Sequence, residues 1–368
     1  MPIKVWDYLT EYEQEKRQVH AAIDRVLTSG RLILGTNVKQ FEHDFSAYCG
    51  CRYGVGVNSG TDALFLGLKA LGIGPGDEVI TVSNTAVPTV SAIVSTGAVP
   101  RFVDIDPATY LMDTSMIEDA VTRKTKCILP VHLYGQCADM RRIKAIARAH
   151  GLLVFEDCAQ SHGALYYGKK AGSMGNASAF SFYPTKILGG FGDGGMVVTD
   201  NRRLYEKLIR LRFYGMKKTY YASEHGYNSR LDELHASILL AKLAHLDEYI
   251  SRRIELAGMY DALLRNTAFA LPATAPGNRH AFYLYVCRHP ARDRIIEELK
   301  KRDIIVNISY PWPIHTMKGY RYLGYRKGDL PHTEKAAKEI FSLPMYPSLT
   351  DRQLMRVVDA LKDILKGL

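Results

Sequence analysis

A glycine-containing turn, an acid and a lysine, spaced along one chain, could serve a single chemistry. Lys186 lies in SFYPTKILGGFGDGG, just after an apolar run that ends at Phe182. A lysine leaving the carboxyl end of a strand stands where open α/β sheets bind their ligands. Its amine can form a Schiff base with an aldehyde, and burial near other cations frees that amine. A solvated surface lysine would read the same way. Asp157 ends LLVFED. An acid at the end of a buried strand is costly without a cationic partner. A protonated pyridine ring would be such a partner, and the acid would let that ring act as an electron sink. A helix cap or a metal would also satisfy Asp157. Its neighbour Glu156 points to the opposite face if the strand continues through it. Asn58-Ser59-Gly60-Thr61 connects a strand-like run to a helical pattern. Backbone N–H groups at a helix start, approached closely past a glycine, form a phosphate cup, to which Ser181 could add a hydroxyl. A plain Ser/Thr N-cap accounts for the same residues. Along the chain the order is phosphate turn, acid, lysine.

Other motifs carry less. Gly190-Phe-Gly192-Asp-Gly-Gly195 matches G-x-G-x-x-G, but it precedes an apolar strand instead of following one, so turn glycines explain it better than a dinucleotide site. The 12 histidines, His132 and His315 among them, show no metal-ligand spacing, and no metal is expected.

The elements that must position these residues are legible from residue 52 onward. Strand-like runs at 52–60, 79–82, 101–106, 127–133, 152–159, 177–182 and 194–200 alternate with helical patterns at 61–72, 86–97 and from Asp139. That alternation predicts a doubly wound, mostly parallel sheet. After about residue 230, Leu239, Leu243, Leu246, Ile250, Ile254 and Ala257 step by 4, 3, 4, 4 and 3, the stripe of one long helix. Beyond it lie apolar runs at 283–287 and 304–309, a charged helix at 291–302 and a terminal helix at 350–366. The expected organisation is a large domain over 1–245 and a smaller α+β domain over 246–368. The length of 368 residues agrees with about two domains.

Composition excludes whole classes. With 47% apolar and 23% charged residues the chain is neither disordered nor collagen-like. The net charge of +10 invites an anionic partner, and 23 tyrosines suit polar ligands. The basic residues follow no nucleic-acid-binding module, so nucleic acid is not expected. Six cysteines without C-x-x-C pairs, an N-terminus unlike a signal peptide and no long apolar run point to a cytoplasmic protein off the membrane.

The stretches NSGTDAL, PVHLYGQCADM, FEDCAQSHGA, SFYPTKILGGFGDGGMV and GYNSRLDELHASIL together resemble the DegT/DnrJ/EryC1/StrS family of sugar aminotransferases, which depend on pyridoxal 5′-phosphate (PLP). The resemblance runs from about Ser29 to the LPMYPSLT near residue 350. It implies fold type I, the aspartate-aminotransferase architecture, and a homodimer with shared active sites. It implies that Lys186 holds PLP and moves the proton, that Asp157 meets the pyridine nitrogen, and that Gln160 lies beside the phenolic oxygen. Gly60, Thr61 and Ser181 match phosphate contacts. Asn228 matches an asparagine reaching the phosphate from the other subunit, and Tyr214, Arg230 and His315 match the lining of the sugar pocket. One departure is Ala86, where relatives often stack an aromatic ring on the cofactor. Relatives that act as dehydratases replace the lysine with histidine, which Lys186 disfavours here.

The pairing of LRFYG (211–215) with YPWPIH (310–315) is more similar to enzymes that aminate C-3 of a 3-keto-6-deoxyhexose than to those acting at C-4. The expected reaction moves an amino group from L-glutamate to a nucleotide-linked sugar, with dTDP the expected carrier. Lys217, Lys218 and Tyr221 are candidates for its diphosphate, and Tyr220, Tyr310 and Trp312 for an aromatic pocket. The competing readings are the same chemistry at C-4, and a non-catalytic PLP or nucleotide-sugar sensor. Full activity of a Lys186→Ala variant would remove the central role of that lysine.

Overall fold

In the computed structural model, which describes residues 2–368, the chain builds a seven-stranded sheet flanked by helices. Its strands are β1 (Tyr53–Val57), β2 (Glu78–Val82), β3 (Val99–Val103), β4 (Thr125–Ile128), β5 (Leu153–Asp157), β6 (Ala177–Ser181) and β7 (Gly195–Thr199). They lie in the order β1-β7-β6-β5-β4-β2-β3. Only β7 runs against its neighbours; every other pairing is parallel. Strands covered on both faces read as unbroken apolar runs, and all five residues of β6 and of β7 are buried.

The helices that matter for the site begin with α1 (Tyr8–Ser29), α2 (Thr36–Cys49), α3 (Gly60–Ala70) and α4 (Val87–Ser95). Glu233 fixes the start of α2 by accepting from the N–H groups of Asn37 and Val38 at 3.0 and 2.9 Å, supplying a cap that Gly35 cannot. Behind the lysine turn, Phe41, Phe45, Phe180 and Phe182 pack edge to face at 4.9–5.1 Å between ring centroids.

The predicted long helix is two: α5 (Glu233–Leu243) and α6 (Leu246–Leu264), broken at Ala244–His245. Across the break Glu15 of α1 accepts from Lys242 Nζ at 2.7 Å and from the Tyr249 hydroxyl at 2.6 Å, so one carboxylate ties both halves. The apolar stripe hid this because both halves bury the same face. Leu246 and Ile250 enter the core beneath the large sheet. Leu256, Ala257, Tyr260 and Leu264 enter a second core with Ile3, Phe341 and the C-terminal helix Asp351–Lys366. There β8 (Tyr285–Arg288) pairs antiparallel with β9 (Ile340–Leu343), the latter following α7 (Pro331–Glu339). The apolar run 304–309 forms no ladder. It makes single bridges, Ile304 to Ile3 and Asn307 to Ser342.

Candidate active site

The carboxyl ends of the parallel strands surround a cavity of about 270 Å³ lined by Gly60, Thr61, Asp157, Gln160, Ser181 and Lys186, together with Ser59, Thr85, Ala86, Pro88, Thr89, Val131, Tyr183 and Asp193. Eight of the residues singled out in the sequence, Ser59 and Ala86 included, thus meet in one place.

Lys186 sits in a tight turn after β6, its N–H bonded to the Tyr183 carbonyl at 2.9 Å. Its Nζ lies 4.7 Å from the centre of the Tyr283 ring, whose hydroxyl is 3.2 Å from Thr185 Oγ1. The surrounding glycines make this approach possible. A Cβ on Gly195 would run into the Ser59 carbonyl, and one on Gly189 into the Pro184 carbonyl.

Asp157, 3% exposed, ends β5. Its Oδ2 accepts from Thr89 Oγ1 at 2.8 Å and its Oδ1 from the Ala159 N–H at 3.1 Å. Burial pushes its pKa up, against those two hydrogen bonds and the pull of Lys186. A buried carboxylate with neutral donors and no bonded cation fits a ring nitrogen that carries a proton.

Glu156 faces the other way, as strand alternation requires. Both its oxygens are taken, by His132 Nε2 (2.9 Å) and the N–H groups of Gly172, Met174 and Gly175 (2.6–3.0 Å), and these hold its pKa down against burial. His132 Nδ1 accepts from Ala138 N–H at 3.1 Å. His132, Glu156 and Cys158 could form a three-ligand cluster, but the ring and the carboxylate already spend their lone pairs and protons on the fold.

The anion turn uses both readings of its sequence. Ser59 is the N-cap of α3, its Oγ accepting from Asp62 N–H at 3.0 Å. Gly60 and Thr61, whose N–H groups have no partner within the helix, line the cavity at its start. Gly60 is required, since a Cβ there would lie 2.6 Å from the Ser181 Cβ. A phosphate monoester suits this cradle.

Gln160 is oriented without ambiguity. Its Oε1 accepts from Tyr134 N–H at 2.9 Å, so its amide nitrogen donates to the Tyr310 hydroxyl. Ala86 lines the cavity beside Pro88, and the aromatic lining residue is Tyr183.

Four expected residues lie elsewhere in the protomer. Asn228 bridges Phe213, and the Arg230 guanidinium stands 5.3 and 5.7 Å from the rings of Phe213 and Tyr214. These three form a surface cluster outside their own cavity. The adjacent Ser229 does reach the anion turn, accepting from Asn58 N–H at 3.3 Å. His315 is 1% exposed, its ring held between Ser83 Oγ (2.8 Å) and Glu334 Oε1 (3.2 Å), and it lines a separate cavity beside the Pro311–Thr316 turn. Lys217, Lys218 and Tyr221 stand on an exposed hairpin.

Thr89, Tyr283 and Asp193 escaped the sequence reading. Only Thr89 left a signal: three residues past Ala86, it shares one turn of α4 with the segment already suspected of facing the ring. His162, buried against Phe45, Phe180 and Phe182, has neither ring nitrogen bonded, and burial pushes its pKa down to about 3.

A lysine and a buried acid across a cavity at the strand ends, with a helix N-terminus at its edge, define an aminotransferase of the PLP-dependent α/β kind. The chain belongs to the DegT/DnrJ/EryC1/StrS aminotransferase family, which it matches over residues 13–362. It is 51% identical to the dTDP-3-amino-3,4,6-trideoxy-alpha-D-glucose transaminase of Micromonospora megalomicea subsp. nigra, over 100% of both chains. It superimposes with a TM-score of 0.98 on DesV of S. venezuelae, solved in complex with a ketimine intermediate. That match is 42% identical and covers 100% of this chain and 99% of the other. NtdA of Bacillus subtilis, solved with bound cofactor PMP, gives a TM-score of 0.90 at 34% identity, over 96% of this chain and 82% of the other.

Proposed function

We propose that this protein transfers an amino group from L-glutamate to the C-3 keto carbon of a dTDP-linked 3-keto-6-deoxyhexose, using PLP. The observation that carries the reading is Asp157: a buried carboxylate, lifted by desolvation, facing the lysine cavity with only neutral hydrogen-bond donors. When bound, PLP supplies the electron sink that lets a C–H bond beside the amine ionise. The chain does the rest. The Gly60 and Thr61 N–H groups and Ser181 hold the phosphate. Asp157 keeps a proton on the ring nitrogen. The amine of Lys186, once free, takes the α-proton of glutamate and in the second half-reaction returns a proton to C-3 of the sugar. Gln160 would meet the phenolic oxygen, and Ala86 and Pro88 would offer the ring small side chains, since all three line the cavity.

Support for C-3 comes from the relative at 51% identity, whose name gives a sugar with its amine at C-3. The sugar in that name also lacks the 4-hydroxyl, so substrates with and without it belong in the test. We further propose a homodimer in which Asn228, Tyr214 and Arg230 of one subunit complete the cavity of the other, since they cluster outside their own. No helix among the described residues is long and apolar enough to cross a membrane. All six cysteines are buried and unpaired, which supports a reducing, cytoplasmic setting.

The experiment is incubation of the PLP-loaded protein with glutamate and a panel of 3-keto and 4-keto dTDP-sugars, with products identified by mass and NMR. A 3-amino product is expected. A 4-amino product, or no conversion of glutamate to 2-oxoglutarate, overturns the reading.

A further inference from the structure

The Lys186 amine meets an aromatic face instead of a carboxylate. Its Nζ stands 4.7 Å from the centre of the Tyr283 ring, which belongs to the segment two residues before β8. The acids around the lysine are committed elsewhere. Asp157 accepts from Thr89 and the Ala159 N–H, Glu15 from Lys242 and Tyr249, and Glu11 from the Trp6 indole N–H at 2.7 Å. Glu11 and Glu15 share with Lys186 the lining of a small cavity behind it, yet among the described residues the ion pair there is Glu15 with Lys242, and none includes Lys186.

The chain fixes this ring from several sides. The Tyr283 hydroxyl is 3.2 Å from Thr185 Oγ1, on the turn that carries Lys186 itself. Arg253 of α6, 4% exposed, donates through Nη1 to the carbonyls of Phe282 (3.3 Å), Tyr283 (3.2 Å) and Met345 (2.7 Å). Gly135 packs against the same segment, and a Cβ there would lie 2.7 Å from the Tyr283 nitrogen. Phe282 has a φ of 46°, a left-handed backbone that a bulky residue keeps only under constraint, and its ring stacks on His280 at 3.9 Å. A buried guanidinium spent on carbonyls, a close glycine contact and a strained residue thus converge on one aromatic side chain.

We propose that Tyr283 is a positioning residue whose ring face receives the Lys186 amine when that amine becomes an ammonium. The inference rests on the reading that Lys186 takes the α-proton of the amino donor. Taking that proton turns a neutral amine into a cation, and giving it up reverses the change. The negative face of the ring attracts the cation far more than the neutral amine, so it makes Lys186 a stronger base. A carboxylate in the same place would hold the proton too firmly for it to be passed on. Both side chains are partly buried, which strengthens the attraction over that of an exposed pair.

The test compares Tyr283→Phe with a protein carrying pentafluorophenylalanine at position 283. The two rings have nearly the same outline, but fluorination removes the negative face. Cofactor-free protein is labelled at pH 8 with a trace of acetic anhydride, and the peptide containing residue 186 is quantified by mass against the exposed Lys124. An amine reacts and an ammonium does not. Labelling of Lys186 is therefore expected to be about fivefold faster with the fluorinated ring than with Phe, and Tyr283→Phe to stay within about twofold of wild type. The glutamate half-reaction of the same proteins, loaded with PLP, should move the other way, about fivefold slower with the fluorinated ring, because the amine is then the weaker base. A merely structural role for the ring cannot give opposite responses in a pair of matched shape. Equal labelling of the two proteins overturns the inference, as does a half-reaction that does not slow. If the wild-type protein does not react with glutamate at all, the transaminase reading fails and takes this inference with it. If the wild type reacts normally while the two proteins label equally, only this inference fails.

Discussion

Asp157→Asn separates what the carboxylate costs the folded chain from what it does for the reaction. Asparagine keeps the shape: its oxygen can still accept the Ala159 N–H, and its amide can donate to the Thr89 hydroxyl, which is free to turn. Only the buried charge is lost. Because burial raises the folded pKa above the unfolded value, the ionised form disfavours folding at pH above the folded pKa. That penalty fades as the pH falls through the folded pKa and is gone below the unfolded value of about 3.9. Cofactor-free variant is therefore expected to be more stable than wild type at pH 8, by about 1–3 kcal/mol, with the gain shrinking to nothing by about pH 4. With PLP bound the sign reverses. A carboxylate about 4 Å from a ring proton, at an effective dielectric constant near 20, contributes about 4 kcal/mol, or roughly a thousandfold in rate. The glutamate half-reaction, followed by stopped-flow absorbance, should slow by about that factor, while PLP affinity falls far less because an amide can still bond the ring nitrogen. Calorimetric melting of cofactor-free protein from pH 4 to 8 checks the first half. A variant less stable at pH 8, or an unchanged half-reaction, refutes the reasoning.

Lys186→Ala should abolish transamination and the visible absorbance of the bound cofactor; in the wild type, borohydride reduction and digestion should tag the peptide containing residue 186 and no other. Gly195→Ala drives a methyl into the Ser59 carbonyl and must shift the anion turn, so the Kd for PLP should rise at least tenfold, with about 1–3 kcal/mol lost in stability by denaturant unfolding. Arg212→Ala strands Glu42, whose Oε1 accepts both from the Arg212 guanidinium and from Gly56 N–H beneath β1. Leaving that carboxylate buried and unpaired should cost about 3–5 kcal/mol by denaturant unfolding, with the thermal midpoint falling accordingly. Finally, Lys186→Ala and Asn228→Ala homodimers should both be impaired, while mixing them should restore up to one working site per hybrid dimer. Activity of the mixture no greater than the mean of the two parents would refute site sharing.

The sequence exposed those parts of the protein whose pattern has one physical cause. Parallel strands buried on both faces, and turn glycines before helices, made the sheet and the anion turn readable. Asp157 and Lys186 were readable because charged residues at the ends of apolar runs require a reason. What stayed hidden depends on contacts between segments distant in sequence. Nothing in PWPIH announces that Ser83, 232 residues away, turns His315 inward. Nor does an unbroken apolar stripe reveal a break at Ala244–His245, across which Glu15, more than 220 residues earlier, bonds both halves. Within α6, Leu246 and Ile250 serve one core, and Leu256 onward the other.

Neighbouring residues 156 and 157 show how the fold makes a reactive group out of an ordinary one. Strand alternation sends them to opposite faces. On one face Glu156 receives four donors and pins the 172–175 loop, so its charge is fully engaged and its pKa falls. On the other, Asp157 receives two donors and its pKa rises. Burial alone cannot account for the difference, because it acts on both in the same direction. What separates them is the His132 ring bonded to Glu156, whose hydrogen bond and charge lower that carboxyl most, with the backbone donors of the 172–175 loop adding to it. Glycines decide the other half of the site in the same local way: Gly60 against Ser181 and Gly195 against Ser59 bring the anion turn, the end of β6 and the start of β7 closer than any side chain would permit. A donor added beside Asp157 would therefore weaken its hold on a ring proton without touching the cofactor, and a methyl added at either glycine would move the phosphate cradle away from Lys186. The site's chemistry is set by how incompletely one carboxylate is satisfied and how little space two glycines leave.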